Sequence, residues 1–330
     1  MHRPATRRKL LLALLAACAA PRAWPGNGPG KIPQVGILGP PLSSENRVLE
    51  SFREGMRALG YVEGRNYAIE YREVPGLTPA AERLAMAREL VALGVEVIVV
   101  SVTRNAIAAK AATAQIPIVM VNVGAVDSGL AANLERPGDN LTGISLNASE
   151  LARRNLEILL EAVPGAERIG ILANPSNPLH PKMIVALRRA AKERGHKRHI
   201  AQITSAAEIE RAYASMTREH VGAMLVLADA LFTANRKQII GLAQANQLPS
   251  MYQNPLFVAD GGLMAYAPNA LENYRIAASY VDRLLKGAKP GDLPTRQPAR
   301  FDLVINLKTA KALGLTIPAP VLKLAERLIE

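Results

Sequence analysis

QVGILGPP (34–41) and RIGILANP (168–175) decide how this chain is read. Each stretch runs apolar, carries Gly-Ile-Leu, and meets a proline two or three residues on. Short apolar runs of this kind are strands buried on both faces, which occur in parallel sheets covered by helices. The neighbourhood of the first copy agrees. YAIEY (67–71), VEVIVV (95–100) and PIVMVNV (117–123) read as further strands, with helical patterns near 45–59, 79–92 and 104–114 between them. After the second copy come RHIAQI (198–203), GAMLVLAD (222–229) and PSMYQ (249–253), again with helices between. Strands alternating with amphipathic helices of about 10–15 residues build βαβ units. A pattern that restarts predicts an α/β chain of two doubly wound parallel-sheet lobes.

The crossings between lobes follow from turn chemistry. RPGDNLTGISLN (136–147) holds a Pro-Gly-Asp-Asn turn and then a strand able to carry the chain across. The helical pattern NASELARRNLEILLEAVPG comes next, with Asn147 and Glu150 placed to cap it; Ser205-Ala-Ala-Glu208 is a capping box opening a later helix. A second crossing is predicted near GGLMAYAP (261–268), before a helix at 269–287, and a third within KPGDLPTRQPARFDLVIN (289–306). Three crossings make a hinge. The expected organisation is residues 31–146 plus about 264–292 in lobe 1, and 147–263 plus about 293–330 in lobe 2.

Residues 1–26 read differently. Arg3, Arg7, Arg8 and Lys9 precede an apolar run from Leu10 to Ala20. That run is about half of the ~20 residues a membrane-spanning helix needs. A basic start, a short apolar segment and small residues beyond it describe an export signal. Thr6-Arg7-Arg8-Lys9-Leu10-Leu11 resembles a twin-arginine signal, so both the Sec and twin-arginine routes are open. Leu15-Ala16-Ala17-Cys18 resembles a lipobox, which would lipidate Cys18; ordinary cleavage near Ala19 or Ala23 would discard it. The expected location is periplasmic, or envelope-anchored as a lipoprotein. Cys18 is the sole cysteine, so the mature chain has no disulfide, thiol nucleophile or thiolate metal site.

The formal charge of +12 shrinks on the same reading. Five of the 40 Lys and Arg residues lie in positions 1–23, where no Asp or Glu occurs, leaving 35 basic against 28 acidic residues. The densest basic run, RRAAKERGHKRH (188–199), has no aromatic residues or recognised module beside it, so it reads as a solvated helix face and not a nucleic-acid surface. His196 and His199 form a lone H-x-x-H pair at its end, read as surface and not as a metal site; His180 and His220 show no partner in the sequence.

Most signatures of catalysis are absent. No G-x-G-x-x-G follows the first strand, and neither G-x-x-x-x-G-K-[ST] nor G-x-S-x-G occurs. What remains is a set of strand-end loops: GPPLSS (39–44), SVTRN (101–105), NVGAVDS (122–128), ANPSN (173–177), LADALF (227–232) and YQN (252–254). Open α/β sheets bind ligands beyond the carboxyl ends of their strands, and helix N-termini there favour carboxylate or phosphate. Asp229 suits a ligand amine, while Tyr252 and Phe232 suit an apolar ligand body. Ser101, Thr103 and Ser176 serve equally well as helix caps, Asn174 as the turn before Pro175, and Tyr252 as core.

Longer stretches carry a resemblance. FREGMRALGYVEGRNYAIEYRE (52–73), LVALGVEVIVV (90–100), IPIVMV (116–121), GLAANLERPGDNLTGIS (129–145), LANPSNP (172–178), ADALF (228–232), FVADGGLMAYAPN (257–269) and the segment 274–318 resemble the substrate-binding proteins of bacterial ABC transporters. The similar branch has the type I periplasmic binding (Venus-flytrap) fold and includes tryptophan- and tyrosine-binding members. The resemblance implies two α/β lobes joined by a three-segment hinge, and a small polar ligand, an amino acid or related carboxylate, held in the cleft. It implies delivery to an ABC permease in the inner membrane, no catalysis and no cofactor or metal; a monomer is expected. By position it points to Ser43, Ser101, Thr103, Asn174, Ser176 and Asp229 as ligand contacts. The chain departs from the pattern where relatives have Asp-Pro and this sequence has Gly124-Ala125, and where Thr-Pro becomes Thr103-Arg104. A carboxylate lost at Gly124 and a guanidinium gained at Arg104 favour a more anionic ligand.

Two other readings use the same lobes. One is a sensor that presents its bound state to a membrane receptor. The other is an envelope enzyme, which lacks a catalytic signature here. A DNA-binding repressor would need a helix-turn-helix where the export signal stands.

Overall fold

The computed structural model describes residues 32–330 apart from Arg136 and Asp139, and excludes the side chains of residues 43–46. The expected export signal, with Cys18, therefore lies outside the described residues, as does the side chain of Ser43.

Lobe 1 is built on a parallel five-stranded sheet in the order β2-β1-β3-β4-β5. Its strands are β1 (Gln34–Gly39), β2 (Ala68–Glu73), β3 (Val97–Ser101), β4 (Ile118–Val123) and β5 (Leu141–Ser145). The connecting helices are α1 (Leu42–Ala58), α2 (Ala80–Ala92) and α3 (Thr103–Ala112). The reason for the sheet is visible in β3, where Val97, Ile98, Val99 and Val100 are all buried. Alternate residues point to opposite faces, so an unbroken apolar strand requires a cover on both. One cover comprises Phe52 and Met56 of α1; the other includes Ala87 and Leu90 of α2 and Ala106 and Ala109 of α3.

Lobe 2 begins with α4 (Ala148–Ala162), whose N-cap Asn147 accepts from the Glu150 N–H. Its seven-stranded sheet runs β7-β6-β8-β9-β10-β11-β12. These strands are β6 (Arg168–Ala173), β7 (Lys197–Gln202), β8 (Ala223–Val226), β9 (Ser250–Tyr252), β10 (Met264–Pro268), β11 (Phe301–Asn306) and β12 (Ala325–Ile329). All neighbours are parallel except β10 and β11. The helices are α5 (His180–Glu193), α6 (Ile209–Arg218), α7 (Ala230–Ala234), α8 (Arg236–Ala245) and α9 (Pro255–Ala259), then α11 (Leu307–Ala312) and α12 (Ala319–Leu324). The Ser205–Glu208 capping box is formed and leads into α6.

Between β10 and β11 the chain returns to lobe 1 as α10 (Ala270–Leu285), which packs along α1. A Cβ at Gly55 would lie 2.8 Å from both Ala278 Cβ and the Arg275 carbonyl oxygen, so glycine lets these helices touch. Ser51 Oγ donates to Leu271 O, and Tyr61 Oη donates to Asp282 Oδ1. Burying the apolar side chains of Tyr274, Val281 and Leu285 against the α1 side of the sheet contributes about 1.5–3 kcal/mol per large residue.

The structure moves two expected boundaries. Residues 264–268 were assigned to lobe 1, but β10 pairs with β9 and β11 inside the seven-stranded sheet. The chain therefore crosses at the very end of the 261–268 stretch, after Pro268, and the lobe boundary moves from 264 to there. Leu293 was assigned to lobe 2, but it is buried in the lobe 1 core, and Arg296 N donates to Gly143 O. The third crossing thus follows Arg296. Beside it, Ser145 N donates to Arg296 O at 2.8 Å, and Asn269 N donates to Arg300 O at 3.0 Å. The three connecting segments therefore form a hinge, two pairs of them hydrogen-bonded. Strand β12 was not anticipated; its AERLI sequence is charged and half exposed, as suits a sheet edge.

Candidate functional site

The cleft between the lobes gathers the carboxyl ends of β3, β4, β6 and β8. On the lobe 1 side, Ser101 closes β3 half-buried, and Val102 turns the chain into α3 with φ 58° and ψ 145°. That conformation is foreign to a β-branched residue, and the Val102 side chain is exposed. Thr103 is buried and its Oγ1 accepts from Gly124 N at 3.1 Å, which ties the β3 and β4 ends together. Arg83 of α2 is buried with its guanidinium on neutral acceptors: Asn105 Oδ1 at 2.5 Å, and Gly76 O and Thr78 O at 2.9 Å. Burial, and then the charge of Arg104, hold Arg83 below the usual guanidinium range.

On the lobe 2 side, one network binds the ANPSN and LAD loops. Asp229 caps α7, its Oδ1 accepting from Leu231 N at 2.8 Å and from Asn174 Nδ2 at 3.0 Å. Its Oδ2 accepts from Asn177 Nδ2 at 2.9 Å. Asn174 Oδ1 accepts from Ser176 N, and Asn177 Oδ1 from Leu179 N. His180 is fully buried, and its ring meets Asn174 N at 2.9 Å and Ala228 O at 3.1 Å. Burial lowers the His180 pKa; backbone hydrogen bonds and Asp229 oppose the shift. Gln253 Oε1 accepts from Ala228 N, while its buried Nε2 has no partner among the described residues.

Besides the Asp127–Ser149 hydrogen bonds at the start of α4, several contacts join the two lobe faces. Arg104 Nη2 donates to Ser176 O at 3.3 Å and stands 3.6 Å from Asp229 Oδ2. Lys182 Nζ donates to Val126 O at 2.9 Å. A Cβ on Gly124 would lie 2.6 Å from Leu179 Cδ2, and one on Gly76 would lie 2.9 Å from Ala230 Cβ. The two lobe faces are therefore in contact, with glycine at two of the closest approaches.

This geometry accompanies a clear family match. The family model for ABC transporter substrate binding proteins matches residues 42–329. The chain belongs to that family. A tyrosine-binding protein of Clostridioides difficile is 25% identical over 273 residues, covering 82% of this chain and 78% of the relative. Among solved structures, a conserved domain protein of Vibrio cholerae has a TM-score of 0.82 at 27% identity, covering 90% of this chain and all of that one. An ABC domain of Streptococcus pneumoniae in complex with L-Trp has a TM-score of 0.82 at 25% identity, covering 91% of this chain and all of that one.

In this substrate-binding protein the residues expected at the site separate into groups. Arg104, Asn174, Ser176 and Asp229 come together, and Thr103 and Gly124 bond to each other across from them. Asp229 was expected to be open to a ligand amine, but its side chain is 1% exposed and both oxygens already accept hydrogen bonds. Tyr252 was expected at the cleft; its ring is instead buried in the lobe 2 core, stacked on Phe257 at a centroid distance of 4.5 Å. Phe232 is likewise core. Tyr252 closes β9 and Phe232 lies in α7; both turn inward, which periodicity alone cannot distinguish from a rim position. His196 and His199 do not converge: their rings meet Ala166 O and Ser215 Oγ. Sequence reasoning missed Arg83, Asn177, Leu179, His180 and Lys182. Asn177 and His180 lay within or just beyond the quoted ANPSN loop, where their spacing from Asn174 was available; Arg83 sat in an ordinary amphipathic pattern and gave no signal.

Proposed function

We propose that this chain is the extracytoplasmic receptor of an ABC importer, capturing an amino acid or related carboxylate between its lobes and handing it to an inner-membrane permease. The observation that carries the ligand class is Arg104. Its guanidinium spans the cleft, 32% exposed, toward a carboxylate whose oxygens are already bonded within lobe 2. Buried Arg83 adds positive charge without a carboxylate partner among the described residues. Such a surface favours an anionic ligand group, and a guanidinium can grip a carboxylate with two parallel bonds. The tyrosine-binding relative and the L-Trp complex support an amino acid or a close analogue. The basic and apolar start of the chain supports export.

The mechanism follows from contacts made by both lobes. A ligand that touches Arg104 of lobe 1 and the Ser176 loop of lobe 2 gains both sets of interactions only when the cleft is closed. It therefore shifts the population toward closure. Inverting a strongly open equilibrium requires about 5.5 kcal/mol of differential affinity. The permease then reads a surface that exists only in the closed protein.

The test is a thermal-shift screen on the exported, mature protein, with amino acids, aromatic acids, dicarboxylates, sugars and nucleosides. A ligand at ~100 times its dissociation constant stabilises the protein by about 2.7 kcal/mol. A hit among the carboxylates supports the reading. Stabilisation by sugars or nucleosides alone overturns the ligand class.

A further inference from the structure

We propose that His180 is a positioning residue of the cleft: its neutral imidazole ties the loop after β6 to the loop after β8 and so holds Asn174 and Asp229 in the arrangement that faces Arg104. The proposal rests on the reading of the cleft as the ligand site, although the pin itself can be tested without ligand.

The hydrogen-bond partners dictate the protonation state. Asn174 N–H can only donate, so His180 Nδ1, 2.9 Å away, must accept with its lone pair. Ala228 O can only accept, so Nε2, 3.1 Å away, must carry the proton. One neutral tautomer satisfies both. The imidazolium satisfies only Ala228, because a proton on Nδ1 would face the Asn174 N–H. The ring is fully buried, so neither side can turn to water.

These two bonds reach the cleft. Asn174, pinned at its backbone by His180, gives its side-chain amide to Asp229 Oδ1. Ala228, pinned at its carbonyl, immediately precedes Asp229 and also accepts from Asn177 Nδ2, whose second bond goes to Asp229 Oδ2. Asp229 then faces Arg104 at 3.6 Å. The charged groups facing the ring are Asp229 at the start of α7 and Arg104 of α3 across the cleft. Asp229 favours the imidazolium; Arg104 and burial oppose it. Acid that protonates His180 removes the Asn174 bond, slackens both loops and weakens ligand capture.

Two arms test this on the mature full-length protein. The first is 15N NMR of the imidazole and of the Asn174 amide. The expected result is the Nε2–H tautomer at pH 7.5, with the Asn174 amide perturbed in step with any protonation of His180. In His180→Asn, whose side-chain oxygen keeps an acceptor for Asn174 N, the amide stays in its neutral-pH position. An Nδ1–H tautomer, or an Asn174 titration unchanged in His180→Asn, overturns the pin. The second arm is affinity for L-tyrosine and L-tryptophan between pH 7.5 and 5. Wild type is expected to weaken at the acid end of this range, because burial lowers the His180 pKa and delays protonation. His180→Asn is expected to bind within a few-fold of wild type at pH 7.5 and to stay flat, and His180→Phe to bind weakly at every pH. Equal pH profiles in wild type and His180→Asn overturn the link to capture. Failure of both amino acids to bind counts against the proposed ligand class, while the NMR arm still decides the pin.

Discussion

Arg104 of lobe 1 stands 3.6 Å from Asp229 of lobe 2, and the same guanidinium donates to the Ser176 carbonyl. One side chain thus reaches two loops of the opposite lobe. Because Asp229 is already bonded by Asn174, Asn177 and Leu231 N, the contact leaves most of the Arg104 hydrogen-bonding capacity unspent.

Replacing Arg104 with alanine is expected to weaken binding of a carboxylate ligand by about 10–100-fold, the range of a lost hydrogen bond to a charged group. Arg104→Lys is expected to recover only part of this, since lysine offers a point charge and not a planar fork. Titration calorimetry with the hit from the ligand screen measures both. Unchanged affinity in Arg104→Ala would remove Arg104 from the site.

Gly124 and Leu179 test closure. A methyl group at residue 124 would sit 2.6 Å from Leu179 Cδ2 and 3.1 Å from Cδ1. Gly124→Ala is therefore expected to bind ligand several-fold more weakly, with the thermal midpoint of the unliganded protein nearly unchanged. Adding Leu179→Ala is expected to return much of the loss, a non-additive pair by double-mutant cycle. Additive effects would show that the two residues do not meet in the bound form.

Val102 carries backbone strain at φ 58° with its side chain exposed to solvent. Strain of this kind costs about 1–3 kcal/mol, while glycine loses roughly 0.5–1 kcal/mol in chain entropy. Val102→Gly is thus expected to be neutral or to stabilise by up to about 2 kcal/mol, measured by urea unfolding. A clear loss of stability would mean that the valine side chain contributes contacts that outweigh the strain.

Tyr67 is buried, and its hydroxyl is pushed up to about 12, mainly by burial and then by Glu63. Its pKa in the unfolded chain is lower, about 10, so above that pH the unfolded state gives up its proton first. The stabilising contribution is complete below about pH 10 and is lost as pH rises toward 12. Urea midpoints measured from pH 9 to 12 are expected to fall, and Tyr67→Phe to fall less steeply. Parallel curves would assign the alkaline loss to other groups.

Much of the architecture was legible along the chain. The apolar runs of β1, β3, β4 and β6 announced a parallel sheet because a strand buried on both faces cannot alternate. Asn147 with Glu150 and Ser205 with Glu208 marked helix starts because capping is chemistry between near neighbours. The place of β10 was not legible. Its pairing with β11 joins residues about 37 positions apart, and the same apolar strand suits either lobe.

The site divided along the same line. The order of amino acids was enough to show which loops carry polar groups at strand ends, and that Arg104 brings a guanidinium to one of them. Tertiary structure alone decided that Asp229 is already bonded within lobe 2, that Tyr252 belongs to the core, and that His180 bridges Asn174 and Ala228. Capping, strand burial and turn chemistry act over a few residues and leave a local pattern. The fate of a carboxylate or an imidazole depends on partners brought from distant parts of the chain, such as Asn174 to Asp229 and Ala228 to His180, and no local pattern records which of them will arrive.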